Sequence, residues 1–194
     1  TVVDRLALKP LGLKLVNTDK AFEAGLKKAG MGLDLRGADF SKVDPIRAKA
    51  KKITGNALDR YLDGRLGLIF DTTAAKSSKI SNYKKMLDKL GYEYKMVFVN
   101  ANLENAQARN AMRSRKLPKE IVQGDWENSQ KNAKIFRAMF KKDFVEIQND
   151  DTPADLNKKA DSLYSKLLGW TSRFPNNKAS QSWREQELLK KKSK

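Results

Sequence analysis

The feature that most constrains the fold is a regular alternation of short apolar runs and longer helix-like segments. The apolar runs cover residues 13–16, 66–70, 94–99 and 143–147. Short apolar runs bounded by turn residues are typical of buried parallel strands. Parallel strands need long crossover connections, which are usually helices. The alternation therefore predicts an α/β fold, a parallel sheet with helices on both faces.

A polar cluster follows each of the four predicted strands. The clusters are Asn17-Thr18-Asp19, Asp71-Thr72-Thr73, Asn100-Ala101-Asn102 and Asn149-Asp150-Asp151. Because the carboxyl ends of parallel strands meet at one edge of a sheet, these side chains are expected to form one polar rim, where α/β folds bind ligands. Connections between strands and helices are polar by default, so the pattern alone leaves open a purely structural role.

The cluster at Asp71 has the chemistry of a magnesium and phosphate site. Asp71 supplies a carboxylate, and Thr72 and Thr73 supply hydroxyl oxygens. Hard oxygen ligands of this kind suit Mg²⁺ and phosphate groups. Asp is also a preferred N-cap residue, so Asp71 has the alternative role of capping the helix that follows.

Composition excludes several classes of chemistry. The chain has 194 residues, enough for one domain with a real core, and contains no cysteine and no histidine. Disulfides, thiol nucleophiles, Ser-His-Asp triads and the usual zinc sites are therefore excluded. No run approaches the roughly 20 apolar residues of a membrane span, and no signal peptide is recognisable. We expect a cytoplasmic protein that does not bind membranes.

The chain is strongly basic, with 40 Lys and Arg against 23 Asp and Glu and a net charge of +17. Such a field attracts nucleotides, nucleic acids and other polyanions. Much of the excess lies on ordinary helix faces and in the Lys190-Lys191-Lys192 tail, where solvated lysines are common. Charge alone does not distinguish a surface that binds polyanions from a generally basic, solvated surface.

Three arginines lie close together after the third predicted strand. A helix is predicted over residues 103–115, which places Arg109 and Arg113 on one face and Arg115 near the helix end. Guanidinium groups at this place suit the charge that develops on a phosphoryl group during transfer. The alternative is an exposed basic helix that pairs with Glu104 or with water.

The remaining pattern predicts helices and a domain division. Gly64, Gly91 and Pro118 mark helix ends or breaks, and Asp44 with Pro45 marks a helix start. The chain is predicted to form one domain over residues 1–168, followed by a basic extension over 169–194. The predicted helices cover residues 1–9, 20–28, 44–63, 79–90, 103–115, 120–141, 152–168 and 181–189.

The order of these motifs resembles the zeta-toxin-like and polynucleotide-kinase-like group of P-loop kinases. The resemblance covers about residues 1–168, and no single motif in it is specific. It rests on the segments 15–19, 68–73, 90–99 and 108–120, which contain Asn17-Thr18-Asp19, Asp71-Thr72-Thr73, the Gly91-Tyr92 turn and the arginines before Leu117-Pro118. It implies a P-loop NTPase-like three-layer sandwich.

One part of the family pattern does not occur in this sequence. The phosphate loop Gly-x-x-x-x-Gly-Lys-Ser/Thr, which cradles the phosphates, is absent, and so is the first strand of the sheet. Thr1 resembles the residue at or just beyond the loop hydroxyl. We therefore expect a fragment, a processed product or a degenerate relative, with unpaired strand edges, whose partner is a missing N-terminal segment or a larger assembly. These 194 residues alone are expected to transfer phosphate poorly.

The resemblance implies an ATP-dependent kinase with Mg²⁺ as cofactor, both conditional on a complete phosphate loop. It implies that Asp19 orients and deprotonates the acceptor hydroxyl and that Asp71 places the metal. Thr1, Thr72 and Thr73 would contact the cofactor, and Arg109, Arg113 and Arg115 would stabilise the transferred group. The implied acceptors are a nucleotide, a nucleotide sugar, a nucleic-acid end or a small metabolite.

A non-enzymatic function is the competing hypothesis. A basic protein that kept the fold without the phosphate loop would bind nucleic acid or serve in a larger assembly. Asp19 and Asp71 would then be helix caps, and the arginines would contact the phosphate backbone. Trp126, Trp170 and Trp183 would be candidates for stacking on bases, with core packing as the alternative.

Overall fold

The computed structural model describes residue 6, residues 8–150 and residues 153–193. Its strands are β1 (Lys14–Val16), β2 (Leu68–Phe70), β3 (Met96–Asn100) and β4 (Phe144–Gln148). Its α-helices are α1 (Asp19–Lys28), α2 (Phe40–Asp63), α3 (Ser77–Lys89), α4 (Leu103–Met112), α5 (Lys119–Phe140), α6 (Pro153–Thr171) and α7 (Lys178–Lys192), and a 3₁₀ turn (Lys141–Asp143) precedes β4. Thr1 and most of the helix predicted over residues 1–9 lie outside the described residues.

The strands pair in parallel, which confirms the predicted α/β class. Strand β1 pairs with β2 in the register Lys14↔Leu68, and β3 pairs with β4 in the register Met96↔Phe144. Within the described residues these are two separate two-stranded sheets, in the orders β1-β2 and β3-β4. Each pair is joined by helical connections, as parallel strands require.

The chain divides into two compact units. The first unit comprises Thr1–Ala75 and Ala101–Asn128, and the second comprises Lys76–Asn100 and Ser129–Lys194. The first unit therefore contains β1, β2 and the arginine-rich segment, and the second contains β3, β4 and the carboxyl-terminal helices. Helix α5 contributes residues to both units.

The first unit has a core between α1, α2 and the glycine-rich loop that joins them. Phe22 and Leu26 lie one helical turn apart on α1, and both are buried. They pack with Leu35 of the loop and with Val43 and Ala50 of α2. Helices α1 and α2 come so close that a Cβ atom at Gly25 would lie 2.6 Å from Ile46 Cγ2. This packing fixes the face of α1 that stays exposed.

The second unit buries alternate apolar positions of its strands and one face of its helices. Phe98 of β3 is 4% exposed and Phe136 of α5 is fully buried. The rings of Phe98 and Phe144 stack with centroids 6.0 Å apart, and Tyr94 meets Phe140 edge to face at 5.6 Å.

Three element boundaries differ from the prediction for identifiable reasons. Helix α2 begins at Phe40 because the Asp39 carboxylate caps Ser41 N–H at 3.0 Å, so Asp44 is not the cap. Helix α4 ends at Met112, three residues before Arg115. Helix α6 continues through Gly169 to Thr171, since glycine weakens a helix without stopping it. Of the described helices, none is long and apolar enough to cross a membrane.

Candidate functional site at the ends of β1 and β2

Asn17 joins the carboxyl ends of β1 and β2. It follows β1 directly, and its Nδ2 donates a hydrogen bond to Asp71 Oδ2 at 2.7 Å. Asp71 follows β2, and its backbone N–H donates to Val16 O at 3.2 Å, which continues the parallel pairing past the strand ends. The polar rim predicted from the sequence is thus present for these two strands.

Asn17 also binds the first residue of α1. Its Oδ1 accepts a hydrogen bond from Asp19 N–H at 2.6 Å, and Thr18, the residue before the helix, makes no side-chain cap bond. The amide of Asn17 therefore connects Asp71 on one side to Asp19 on the other. Asp19 is the first residue of α1, where the helix dipole stabilises a negative charge.

The exposed face of α1 holds Arg115 between two carboxylates. Arg115 Nη2 lies 2.8 Å from Asp19 Oδ1, and Arg115 Nε donates to Glu23 Oε1 at 3.1 Å. Asp19 and Glu23 are four residues apart, so they share this face. The Arg115 side chain is 18% exposed, whereas that of Asp19 is 54% exposed. Arg115 is therefore fixed, while Asp19 stays accessible.

The ring of Phe22 supports the same guanidinium. Arg115 Cζ lies 5.8 Å from the ring centroid, and Arg47 Cζ of α2 lies 5.0 Å from it. Phe22 is itself part of the buried core. Cation–π contacts of this kind orient a guanidinium without using its N–H donors. The N–H groups of Arg115 therefore remain available to the carboxylates of Asp19 and Glu23.

Asn110 positions the segment that carries Arg115. It is 9% exposed, its Nδ2 donates to Leu117 O at 2.8 Å, and its Oδ1 accepts from Leu117 N–H at 2.9 Å. The Asn110 amide thus engages both the N–H and the C=O of Leu117, as the backbone of a neighbouring strand would. These bonds hold the turn that follows α4. Lys116 N–H donates to Leu33 O at 3.1 Å and Lys116 O accepts from Leu35 N–H at 2.9 Å.

The structure brings together some of the predicted site residues and leaves others apart. Asp19, Asp71 and Arg115 belong to one network through Asn17. Thr72 and Thr73 are exposed in the segment that follows Asp71. Arg109 is half-buried in the last turn of α4, and Arg113 is exposed directly after it, so the two do not share a helix face as predicted. Thr1 lies outside the described residues.

The alternative in which Asp71 caps the next helix is wrong. Helix α3 begins at Ser77, and the residue at its N-cap position is Lys76, five residues after Asp71. Asp71 instead accepts from Asn17 across the strand pair. The carboxylate therefore serves the rim and not a helix terminus.

A magnesium ion that arrives with phosphate groups would find one carboxylate and two hydroxyls at the rim. Among the described residues no group of three or more acidic side chains could form a metal cage. Mg²⁺ commonly binds through one or two carboxylates, several waters and substrate phosphates. Asp71 is exposed, and only its Oδ2 is engaged by Asn17. Asp71 with the hydroxyls of Thr72 and Thr73 would suffice for such an ion.

Sequence reasoning missed three residues of this site. Asn17 stood in a polar cluster that was recognised, but its role as the link was not. Glu23 could have been found from its spacing of four residues from Asp19. Asn110 gives no local signal, because its partner Leu117 lies beyond the end of its own helix.

One of three comparisons with known proteins gives a match. The family model described as zeta toxin matches residues 36–162, which include Asp71 and all three arginines but not Asp19. No curated protein and no solved structure matches the chain. The matched segment covers more than half of the 194 residues and agrees with the resemblance seen in the motifs. The chain belongs to the zeta toxin family, and its fold is that of a P-loop kinase-like nucleotide-binding domain.

Proposed function

We propose that this protein is part of an ATP-dependent phosphotransferase that acts on a nucleotide, a nucleotide sugar or a nucleic-acid end. The observation that carries the proposal is the chain of hydrogen bonds from Asp71 through Asn17 to Asp19 at the ends of two parallel strands. Family membership supports a kinase-like nucleotide site at this edge.

Asp19 is the proposed general base. Its carboxylate is 54% exposed, so an acceptor hydroxyl can reach it. Arg115 engages Oδ1 at 2.8 Å, which leaves Oδ2 to accept the proton of the attacking hydroxyl. Arg115 is in turn fixed by Glu23 and Phe22. In this arrangement Arg115 is a positioning residue for Asp19, whereas its sequence position had indicated a contact with the transferred group.

Asp71 is the proposed metal-side residue. A magnesium ion bound with the nucleotide would neutralise part of the phosphate charge, and Asp71 would hold it on the rim. Thr72 and Thr73 would donate hydrogen bonds to phosphate oxygens from the same exposed segment. The Asn17 amide fixes the Asp71 carboxylate in place.

Arg113 is the proposed donor to the transferred phosphoryl group, and Arg109 stays a candidate for it from the sequence alone. Arg113 is exposed beyond the end of α4, and among the described residues it forms no ion pair. An exposed guanidinium with unused donors is suited to stabilise charge that spreads over phosphoryl oxygens. Arg115 is the third arginine assigned to this role from the sequence, and its Nη2 and Nε engage two carboxylates, so we propose it as a positioning residue instead.

The test separates transfer from binding. The Gly-x-x-x-x-Gly-Lys-Ser/Thr motif does not occur in these 194 residues, so the product of the complete open reading frame is the protein to assay. Asp19→Asn is expected to reduce kcat at least a hundredfold, since general-base catalysis contributes about 10²–10⁴-fold. The Kd for ATP, measured by calorimetry, is expected to stay unchanged.

Asp59→Asn is the matched control, because Asp59 is an exposed carboxylate on α2 that belongs to no ion pair within the described residues. It should leave kcat and the Kd for ATP as they are. Undiminished kcat in Asp19→Asn would contradict the assignment of the base.

A further inference from the structure

Phe174 is an exposed aromatic ring on a fixed loop. It lies between α6 and α7 and is 68% exposed, which is unusual for phenylalanine. Glu93 holds the loop on both sides of it: Glu93 Oε2 pairs with Arg173 Nη2 and Glu93 Oε1 accepts from Asn176 N–H, each at 3.1 Å. Asn177 Nδ2 donates to Gly91 O at 2.9 Å and anchors the start of α7. The ring is therefore presented to solvent by an ordered backbone.

Arg184 of α7 lies over one face of this ring. Its Cζ is 3.9 Å from the ring centroid, the shortest such distance among the described cation–π pairs. Arg184 covers one face of Phe174, and the high exposure of the residue leaves the other face accessible. A planar cation stacked on an exposed aromatic ring is a pairing suited to nucleic acids.

The cationic surface continues along α7. Residues at a spacing of four, seven and eight share a helix face, so Leu188, Lys191 and Lys192 follow Arg184 along one side. The strip is about 12 Å long at 1.5 Å per residue. Lys190 pairs with Glu187 at 2.6 Å, whereas Lys191 and Lys192 enter no ion pair in the described part of the chain.

We propose that Phe174, Arg184, Lys191 and Lys192 form a binding surface for single-stranded nucleic acid, here called the Phe174 platform. A base stacks on the accessible face of Phe174, and Arg184 and the two lysines contact phosphates. Every base can stack on an aromatic ring, so the platform is expected to bind single strands without preference for their base sequence. It lies wholly in the second unit and does not rest on the proposed phosphotransferase activity.

A lipid surface is the less suitable partner. Membrane-surface helices need a continuous apolar face opposite a basic one. Helix α7 offers Leu188 and Leu189, but Glu185 and Glu187 flank the face that carries Arg184 and Leu188, so no continuous apolar face forms. Among the tryptophans, Trp126 donates to Ala101 O at 2.7 Å and the ring of Trp170 lies 5.7 Å from Lys95 Nζ. Both are half-buried, whereas Phe174 is exposed.

The test measures binding of a fluorescently labelled oligothymidylate by anisotropy at several salt concentrations. Phe174→Ala is expected to weaken binding about tenfold, because a base loses the ring on which it stacks. Phe174→Tyr keeps an aromatic ring and is expected to retain the affinity. Lys191→Gln with Lys192→Gln is expected to make log K less salt-dependent by about 0.7 per lysine.

Leu189→Ala is the matched control, since Leu189 is 66% exposed on the same helix and is not part of the platform. It should bind as the unchanged protein does. Thermal unfolding of Phe174→Ala should change little, because the hydrogen bonds that hold the loop do not involve the ring and the Arg184–Phe174 contact is exposed. Binding of each variant to vesicles of anionic lipid is measured in parallel. The proposal is overturned if the oligonucleotide does not bind, if Phe174→Ala binds it as well as the unchanged protein does, or if Phe174→Ala weakens binding to the vesicles and not to the oligonucleotide.

Discussion

At the scale of single residues, Arg115 shows why contacts expected from neighbours in sequence can differ from those in the fold. The sequence predicts it near the end of one helix with Arg109 and Arg113, whereas that helix ends at Met112. In the structure it pairs with Glu23, which is 92 residues away along the chain. No local sequence pattern indicates a contact between residues so far apart along the chain. By contrast, Asp19 and Asp71 were predictable, since each closely follows an apolar strand.

Asp34 gives a prediction about acid stability. Arg36 donates to both of its carboxylate oxygens, and this hydrogen bonding lowers the pKa of Asp34 from 3.8 to about 2. A carboxylate with a lowered pKa stabilises the fold above its unfolded value, and this contribution disappears as the pH falls through about 2. Asp34→Asn should therefore lower the Tm by a constant amount above about pH 4 and by progressively less below it.

The measurement is the Tm of both proteins by circular dichroism from neutral pH down to about 2. Because the pair is exposed, the difference in Tm is expected to be small and to shrink with added salt. A difference that grows as the pH falls would contradict the assigned direction of the pKa shift.

At the scale of elements, most helices and strands were predictable and their ends were not. The apolar runs predicted the ends of β1 to β4 to within two residues. Helix α2 began early because Asp39 competes with Asp44 as a cap, and α4 ended early because Asn110 pairs with Leu117. Both outcomes depend on side-chain bonds that hydrophobic periodicity does not report. The proposed division at residues 168 and 169 stays a prediction.

The contact between Gly91 and α7 gives a prediction at this scale. Gly91 has φ +74°, and a Cβ there would lie 2.7 Å from Asn177 Oδ1 and 2.8 Å from Ser180 N. Gly91→Ala is therefore expected to displace the start of α7 and to lower the free energy of unfolding by about 1–3 kcal/mol. Urea denaturation measures the loss, and hydrogen exchange should show faster exchange of the α7 amides.

Gly55→Ala is the control for that experiment. Gly55 lies inside α2, and a Cβ atom added there would meet no other atom within 4 Å. Alanine should therefore stabilise the helix by about 0.5–1 kcal/mol. If Gly91→Ala were as stable as the unchanged protein and α7 exchanged no faster, the packing of α7 on this turn would be refuted.

At the scale of the whole molecule, the fold class followed from the sequence but the two-unit organisation did not. Alternating strands and helices indicated parallel pairing, which the registers of both sheets confirm. Assignment of strands to sheets depends on long-range contacts that a single sequence does not show. The sequence predicts one parallel sheet, whereas within the described residues β2 pairs with β1 alone and β3 with β4 alone.

The charge is also uneven at this scale. The second unit carries 21 Lys and Arg against 10 Asp and Glu, which is most of the net +17. The sequence identified the excess but assigned much of it to solvated helix faces. The exposed pair of Phe174 and Arg184 gives part of this charge a specific geometry. The sequence does not show that Phe174 is exposed, because phenylalanine is usually buried.

The central claim is that the rim formed by Asp19, Asn17 and Asp71 supports phosphoryl transfer. The most direct measurement is transfer of labelled γ-phosphate from ATP by the product of the complete open reading frame, with a nucleotide, a nucleotide sugar and a 5′-hydroxyl oligonucleotide as acceptors. We predict that one acceptor class is labelled by the unchanged protein and by Asp59→Asn but not by Asp19→Asn. Absence of labelling in every class, or equal labelling by Asp19→Asn, would contradict the account.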